Sequence, residues 1–154
     1  MLNLLGEYNC KLDNKGRLML PAGLKKELAE VLSRGFVINR NIHQQCLVLY
    51  PYQEWEKMSK KLNGLNRLIK KNDLFVRKVM GGATKLEVDG SGRLLVPKSL
   101  AEYAALEADV KVIGGGATIE IWAKVRYEEI MNAEDLDIES LAEDVMGDIS
   151  FDDE

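Results

Sequence analysis

The chain has 154 residues, 46% of them apolar and 30% charged, which is an ordinary globular composition with room for one compact domain or two small ones sharing a core. No apolar run approaches the roughly 18 residues of a membrane span, and Met1-Leu2-Asn3-Leu4-Leu5-Gly6 lacks the basic lead and long apolar stretch of a signal peptide, so a cytoplasmic protein is expected. The net charge of −4 argues against a nucleic-acid partner only until its distribution is considered: residues 1–80 carry 15 basic and 7 acidic residues, while residues 127–154 carry 12 acids and no Lys or Arg.

In chain order, Tyr8, Cys10 and Leu12 alternate with polar residues as a half-buried strand does. Asp13-Asn14-Lys15-Gly16 has the composition of a turn, in which Asp and Asn bond nearby backbone and Gly permits positive φ. Leu18-Met19-Leu20 reads as a second short strand, stopped by Pro21, which suits the first turn of a helix. Leu24, Leu28, Val31 and Leu32 recur at helical spacing and predict an amphipathic helix. Phe36-Val37-Ile38 and Cys46–Tyr50 form an expected hairpin. Next comes a helical connector, with Leu65, Leu68, Ile69, Phe75, Val76, Val79 and Met80 marking one apolar face and Arg67, Lys70, Lys71, Arg77 and Lys78 crowding the rest. These cations are either a solvated face or a secondary phosphate contact.

The second half then repeats the first. Gly6, Asp13, Gly16, Arg17, Leu18, Pro21 and Leu24 meet Gly82, Asp89, Gly92, Arg93, Leu94, Pro97 and Leu100 at a constant shift of 76, giving 7 identities in the 19 positions from Gly6 to Leu24. Further on, Leu47–Tyr50 corresponds to Ile119–Trp122, and Trp55 and Met58 to Tyr127 and Ile130, at a shift of 72. Four residues have been lost, and the turn is the place that tolerates it, where Asn39–Gln45 faces Gly114-Gly115-Gly116. Copy two is expected to place strands at Thr84/Leu86/Val88, Leu94–Val96, Val110–Ile113 and Thr118–Trp122, with a helix from Pro97. The expected fold class is α+β, mostly β with short helices. Its divisions are residues 1–76, residues 77–133 and an acidic tail over 134–154, in which Leu136, Leu141, Val145 and Ile149 suit a short helix.

Arg17 and Arg93 each follow a Gly turn and precede an apolar strand. Arg carries five donors in a planar fork suited to phosphate and to guanine edges, so a hairpin-mounted Arg can reach a groove. Asp13 and Asp89, four residues earlier, are placed to hold the guanidinium; the alternative is an Asp–Arg pair that only fixes the hairpin. Both copies keep the pair while Asn14/Gly90 and Lys15/Ser91 vary.

The segment from Gly6 through Pro21, the second Asp89–Pro97 segment, Cys46–Pro51 before Trp55, and Gly81-Gly82-Ala83-Thr84 together resemble the MraZ family of transcriptional regulators of the bacterial division and cell-wall gene cluster. The resemblance implies tandem AbrB-like modules of swapped-hairpin β-barrel character. It also implies a homo-oligomeric ring binding double-stranded DNA at promoter direct repeats, with a nucleoid location. DNA contacts would centre on Asp13, Lys15 and Arg17 with Lys11, and on Asp89 and Arg93. Ser91 stands where copy one has Lys15, and Glu87 where it has Lys11, so the first hairpin is expected to carry more of the DNA energy. A competing reading is an antitoxin-type interaction protein; two complete modules in one chain speak for the regulator.

No enzyme or cofactor is expected. Gly114-Gly115-Gly116 lacks the Lys-Ser/Thr of a phosphate loop and reads as a hairpin turn. His43, the single histidine, lies in a polar loop with no triad or metal partners. Cys10 and Cys46 are expected as buried free thiols, and Tyr50, Trp55 and Trp122 as core rather than base-stacking residues. The charges further predict that removing residues 134–154 tightens non-specific DNA binding at low salt.

Overall fold

Strand alternation and turn chemistry place the strands within about two residues of expectation. The computed structural model describes residues 2–133 and 137–147 and divides the chain into two compact units, Met1–Lys124 and Val125–Glu154. In the first unit the order is β1 (Glu7–Lys11), β2 (Arg17–Met19), α1 (Ala22–Glu27), β3 (Phe36–Arg40), β4 (Leu47–Pro51), α2 (Tyr52–Asn63), α3 (Lys70–Gly82), β5 (Thr84–Leu86), β6 (Arg93–Leu95), α4 (Lys98–Tyr103), β7 (Asp109–Gly114) and β8 (Ile119–Ala123). Helix α5 (Lys124–Met131) carries the chain into the second unit, which also holds α6 (Ile138–Met146).

Six strands form one antiparallel sheet in the order β1-β7-β8-β4-β3-β5, and β2 pairs with β6 in a separate ribbon. Copy one and copy two exchange their first strands. β1 pairs with β7 (Tyr8 opposite Val112), and β5 pairs with β3 (Val37 opposite Lys85). Neither copy closes its own sheet, and the order reads the same from either end when the copies are interchanged. This is the swapped arrangement of duplicated modules.

The core follows the repeat. Leu18/Leu94, Leu20/Val96, Leu24/Leu100, Leu28/Ala104, Leu47/Ile119 and Leu49/Ile121 are all buried in one cluster between sheet, ribbon and short helices. Each fully buried Leu or Ile contributes about 1.5–3 kcal/mol relative to exposure. The apolar matches between the copies are therefore matches of core position. A second cluster lies on the other face of β3, where Val37 packs with Trp55, Leu62 and Val76. With both faces covered, Phe36–Asn39 are buried without alternation.

The glycine run behaves as a hairpin turn and does something more. Leu4 bridges to Gly116 in both directions (N···O 2.6 and 2.8 Å), and a Cβ on Gly114 would lie 2.5 Å from the Leu5 nitrogen. Only glycine lets the N-terminal segment lie this close.

Two expectations are corrected. The helix expected through Leu32 stops at Glu27, after which Val31 and Gly35 make tighter i→i−3 bonds, to Leu28 and Leu32 respectively, and Leu32–Arg34 form a 3₁₀ turn. Leu24, Leu28 and Val31 are buried regardless, so core packing and the return into β3 override the helical repeat. The single apolar face expected from Leu65 to Met80 is interrupted, because the chain turns between α2 and α3. Asn66 Oδ1 accepts the Leu68 amide at 3.0 Å, and Leu68 is left 95% exposed. From α3 itself Val76, Val79 and Met80 pack inward, while Phe75 stays partly exposed.

Cys46 is buried, whereas Cys10 on β1 is only half-buried; that burial raises its thiol pKa. In the second unit, α6 is capped by Asp137, which accepts the Glu139 amide at 3.1 Å, and none of its residues is buried. Leu136 and Ile149, expected on that helix, lie outside the described residues. Among the described residues no helix is long and apolar enough to cross a membrane.

Candidate nucleic-acid interface

The turn joining β1 to β2 is built around one carboxylate. Asp13 Oδ1 accepts the backbone amides of Lys15 and Arg17, both at 2.9 Å, and Oδ2 accepts Arg17 Nε at 2.7 Å. The backbone closes on itself through Asp13 N to Arg17 O (2.9 Å) and Gly16 N to Asp13 O (3.0 Å), with Gly16 at φ +82°. That left-handed conformation is why the position is glycine.

The turn joining β5 to β6 repeats every bond. Asp89 Oδ1 accepts the amides of Ser91 and Arg93 at 2.9 Å, Oδ2 accepts Arg93 Nε at 3.0 Å, and Gly92 has φ +82°. Lys15 and Ser91 contribute backbone atoms only, so the side chain there is free to differ between the copies. The backbone amides of Arg17 and Arg93 are the largest cause holding the Asp13 and Asp89 carboxyls below the usual carboxylate range. In each pair Nε is the atom bonded to Asp, which leaves the Nη groups outside the pair.

The ribbon joins the two turns. Arg17 lies opposite Leu95, Leu18 opposite Leu94, and Met19 opposite Arg93. Leu18 and Leu94 point into the core, so alternation places Arg17, Met19, Arg93 and Leu95 on the outward face. Val96 N bonds Gly16 O at 2.8 Å and Leu20 N bonds Gly92 O at 3.1 Å, tying each strand to the other copy's turn. The two arginines thus occupy diagonal corners of one rigid ribbon, with Cα atoms about 7–8 Å apart by antiparallel geometry.

The other expected residues are placed less uniformly. Lys15 sits at the tip of the first turn. Lys11 ends β1 and forms an ion pair with Asp109, directly opposite in β7, and that bond is the main reason the Asp109 carboxyl titrates low. In the connector, Arg67 and Arg77 both bind Asp73 at 2.7 Å, so two of its five cations are already paired.

Three further residues lie beside the two turns, and the sequence alone does not mark them. Lys25, from α1 of copy one, lies over the turn of copy two: a Cβ on Gly92 would meet its Nζ at 2.7 Å. Met19 and Leu95 are 45% and 58% exposed between the two arginines. The pairing of β2 with β6 across the copies sets the segment leading into α1 beside the turn of copy two, and no local pattern announces that.

Elsewhere, Trp55 and Trp122 are buried, and Tyr50 meets Trp55 edge-on at 5.4 Å, consistent with core packing. His43 donates its backbone amide to Asn41 Oδ1 at 2.7 Å in an exposed loop. Among the described residues no group of three or more His, Cys, Asp or Glu is placed to hold a metal ion. Two hollows are a groove of about 790 Å³ along α2, lined by Tyr52, Trp55 and Lys60, and one of about 370 Å³ between β3 and α3, lined by Arg40, Phe75 and Tyr103. Neither includes a residue of the two turns.

A family model described as "MraZ protein, putative antitoxin-like" matches residues 3–78 and again residues 79–148. Among curated relatives, the transcriptional regulator MraZ of Christiangramia forsetii is 47% identical over 152 residues, covering 99% of this chain and 98% of the relative. That of Flavobacterium psychrophilum is 46% identical, covering 99% and 97%. That of Moorella thermoacetica is 40% identical over 139 residues, covering 90% and 94%.

Proposed function

The chain belongs to the MraZ family, and from that premise we propose that it is a DNA-binding transcriptional regulator whose two Asp-braced arginine turns contact the duplex. One observation carries the reading: two turns with the same polar lattice present Arg17 and Arg93 on the outward face of a single ribbon. A two-stranded ribbon is narrow enough for the major groove, and an arginine fork pairs with guanine O6 and N7 or with phosphate. Bracing by Asp13 and Asp89 removes rotamer freedom before binding, which lowers the cost of association. Lys11, Lys15 and Lys25 supply salt-sensitive phosphate attraction around the ribbon.

The relatives' name, transcriptional regulator, supports a binding protein rather than an enzyme. Its action is repression of the division and cell-wall cluster, from a location on the nucleoid. A single ribbon reads few base pairs, so the protein binds promoter direct repeats as a homo-oligomeric ring, and affinity comes from effective concentration along the repeats. The test is a titration of a labelled fragment from upstream of its own operon against a scrambled fragment. Preference for the upstream fragment, lost at high salt, supports the proposal; equal binding to both, or to neither, removes it.

An antitoxin-type role is a second reading with one observation in its favour. Ile138, Leu141 and Val145 on α6 are exposed, as on a helix that docks on another protein. Co-purification of a stoichiometric protein partner, lost on removal of residues 134–154, would establish it.

A further inference from the structure

We propose that Met19 and Leu95 form an apolar reading pair that contacts thymine C5-methyl groups between the two arginine contacts. The inference rests on the DNA-binding reading above and assigns that site a further determinant of sequence preference.

Met19 and Leu95 carry exposure that folding does not require. On a three-residue strand, alternation sends one side chain in and two out. Leu18 and Leu94 satisfy the inward requirement completely, with no exposure at all. The outward positions need only be soluble, yet each strand places one arginine and one large apolar residue there. The register sets Met19 against Arg93 and Leu95 against Arg17, so the outward face is a compact quartet. A Cβ on Gly16 would lie 3.8 Å from Leu95 Cδ1, so Leu95 also leans over the first turn beside Arg17.

The surroundings decide what covers this pair. Arg17 and Arg93 border it, Lys15 stands at the tip of one turn, and Lys25 lies over the other. An apolar patch ringed by cations suits a polyanion that carries apolar groups at a defined depth. B-form DNA is such a partner: its phosphates line the groove, and the thymine methyl is the one apolar group on the major-groove edges of the bases. Lysine or serine at these positions would offer hydrogen bonds that do not sense the methyl, whereas an aliphatic side chain discriminates T from C. The copies differ here, Met against Leu, so the two positions need not share one preference. Met, being unbranched and adaptable, tolerates a less sharply placed methyl than Leu does.

The experiment replaces thymines of the upstream fragment, one at a time, with deoxyuridine, which keeps every hydrogen bond and lacks only the methyl. The wild type should bind about fourfold more weakly for each methyl it contacts, at one or two positions between the two arginine contacts. A Met19→Ala/Leu95→Ala variant, folded by circular dichroism, should bind the thymine and deoxyuridine duplexes alike, both about as weakly as wild type binds the deoxyuridine duplex. Wild-type binding that is indifferent to every deoxyuridine, or a sensitivity that survives in the double variant, overturns the inference and leaves the regulator reading intact. Dissociation of a wild-type oligomer by the same substitutions, read by sedimentation, would assign the pair to a subunit contact and overturn it too. Failure of the wild type to distinguish upstream from scrambled DNA would sink the regulator reading itself, before deoxyuridine is introduced.

Discussion

Arg17 is bonded to Asp13 twice, through its backbone amide to Oδ1 at 2.9 Å and through Nε to Oδ2 at 2.7 Å. One carboxylate therefore fixes both the turn and the direction of the side chain that leaves it. The two tasks separate in Asp13→Asn. The amide oxygen still accepts the Lys15 and Arg17 amides, but the amide NH₂ would face Arg17 Nε, donor against donor. The variant should keep its fold by circular dichroism and lose roughly three- to tenfold in affinity for the upstream fragment as Arg17 becomes free to rotate. Unchanged affinity would show that the brace does not matter for binding.

Asp13 and Asp89 should titrate below the usual aspartate range when followed by carboxyl carbon chemical shifts in NMR. Their folded values are depressed, so the contribution they make to hairpin order is present above the unfolded value and is lost as pH falls through the folded one. The largest cause is a backbone amide, which survives side-chain truncation. In Arg17→Ala the Asp13 carboxyl should therefore rise only partway, remaining below an ordinary aspartate. A full return to the ordinary value would place the effect in the guanidinium instead.

Lys25 offsets the charge that copy two lacks. Judged from the turns alone, Ser91 in place of Lys15 leaves the second hairpin weaker, but Lys25 Nζ lies against Gly92. Lys25→Ala should weaken binding by a similar factor on every DNA sequence and reduce the slope of log affinity against log salt by about 1. A slope identical to wild type would remove Lys25 from the interface.

Ala105 carries a strained backbone. Its φ is +53°, just past α4, where Ala105 N bonds Glu102 O at 3.1 Å and Leu106 N bonds Ala101 O at 2.9 Å in a glycine-type helix stop. Ala105→Gly should relieve about 1–2 kcal/mol of left-handed strain, against about 0.4–1 kcal/mol of added freedom in the unfolded chain. A net gain of about 0.5–1 kcal/mol is expected, seen as a thermal midpoint a few degrees higher. A lower midpoint would mean that the Ala105 side chain makes a contact worth more than the strain.

The sequence shows some of this directly and hides the rest for identifiable reasons. Asp13, Gly16 and Arg17 recur as Asp89, Gly92 and Arg93 because each bond in the turn needs that residue type, so the chemistry is written in identities. Leu18, Leu20 and Leu24 mark the core for the same reason. Pairing partners are not written that way. Alternation in β1 says which side chains are inward, but nothing local says that Lys11 will face Asp109 rather than a residue of its own copy. The exchange was legible only through family resemblance. The interruption at Leu68 was masked because an exposed leucine fits a helical period as well as a buried one. Lys25, Met19 and Leu95 gain their meaning only once two distant segments lie side by side.

The function proposed for the ribbon is to read DNA through Arg17 and Arg93. Its most direct test is a fluorescence-anisotropy titration of the labelled upstream fragment with wild type, Arg17→Ala and Arg93→Ala at two salt concentrations. Wild type should bind tightly and more weakly at the higher salt, and each folded variant should lose about 5- to 100-fold. The ratio of the two losses would also rank the hairpins. Folded arginine variants that bind like wild type at both salts would contradict the claim.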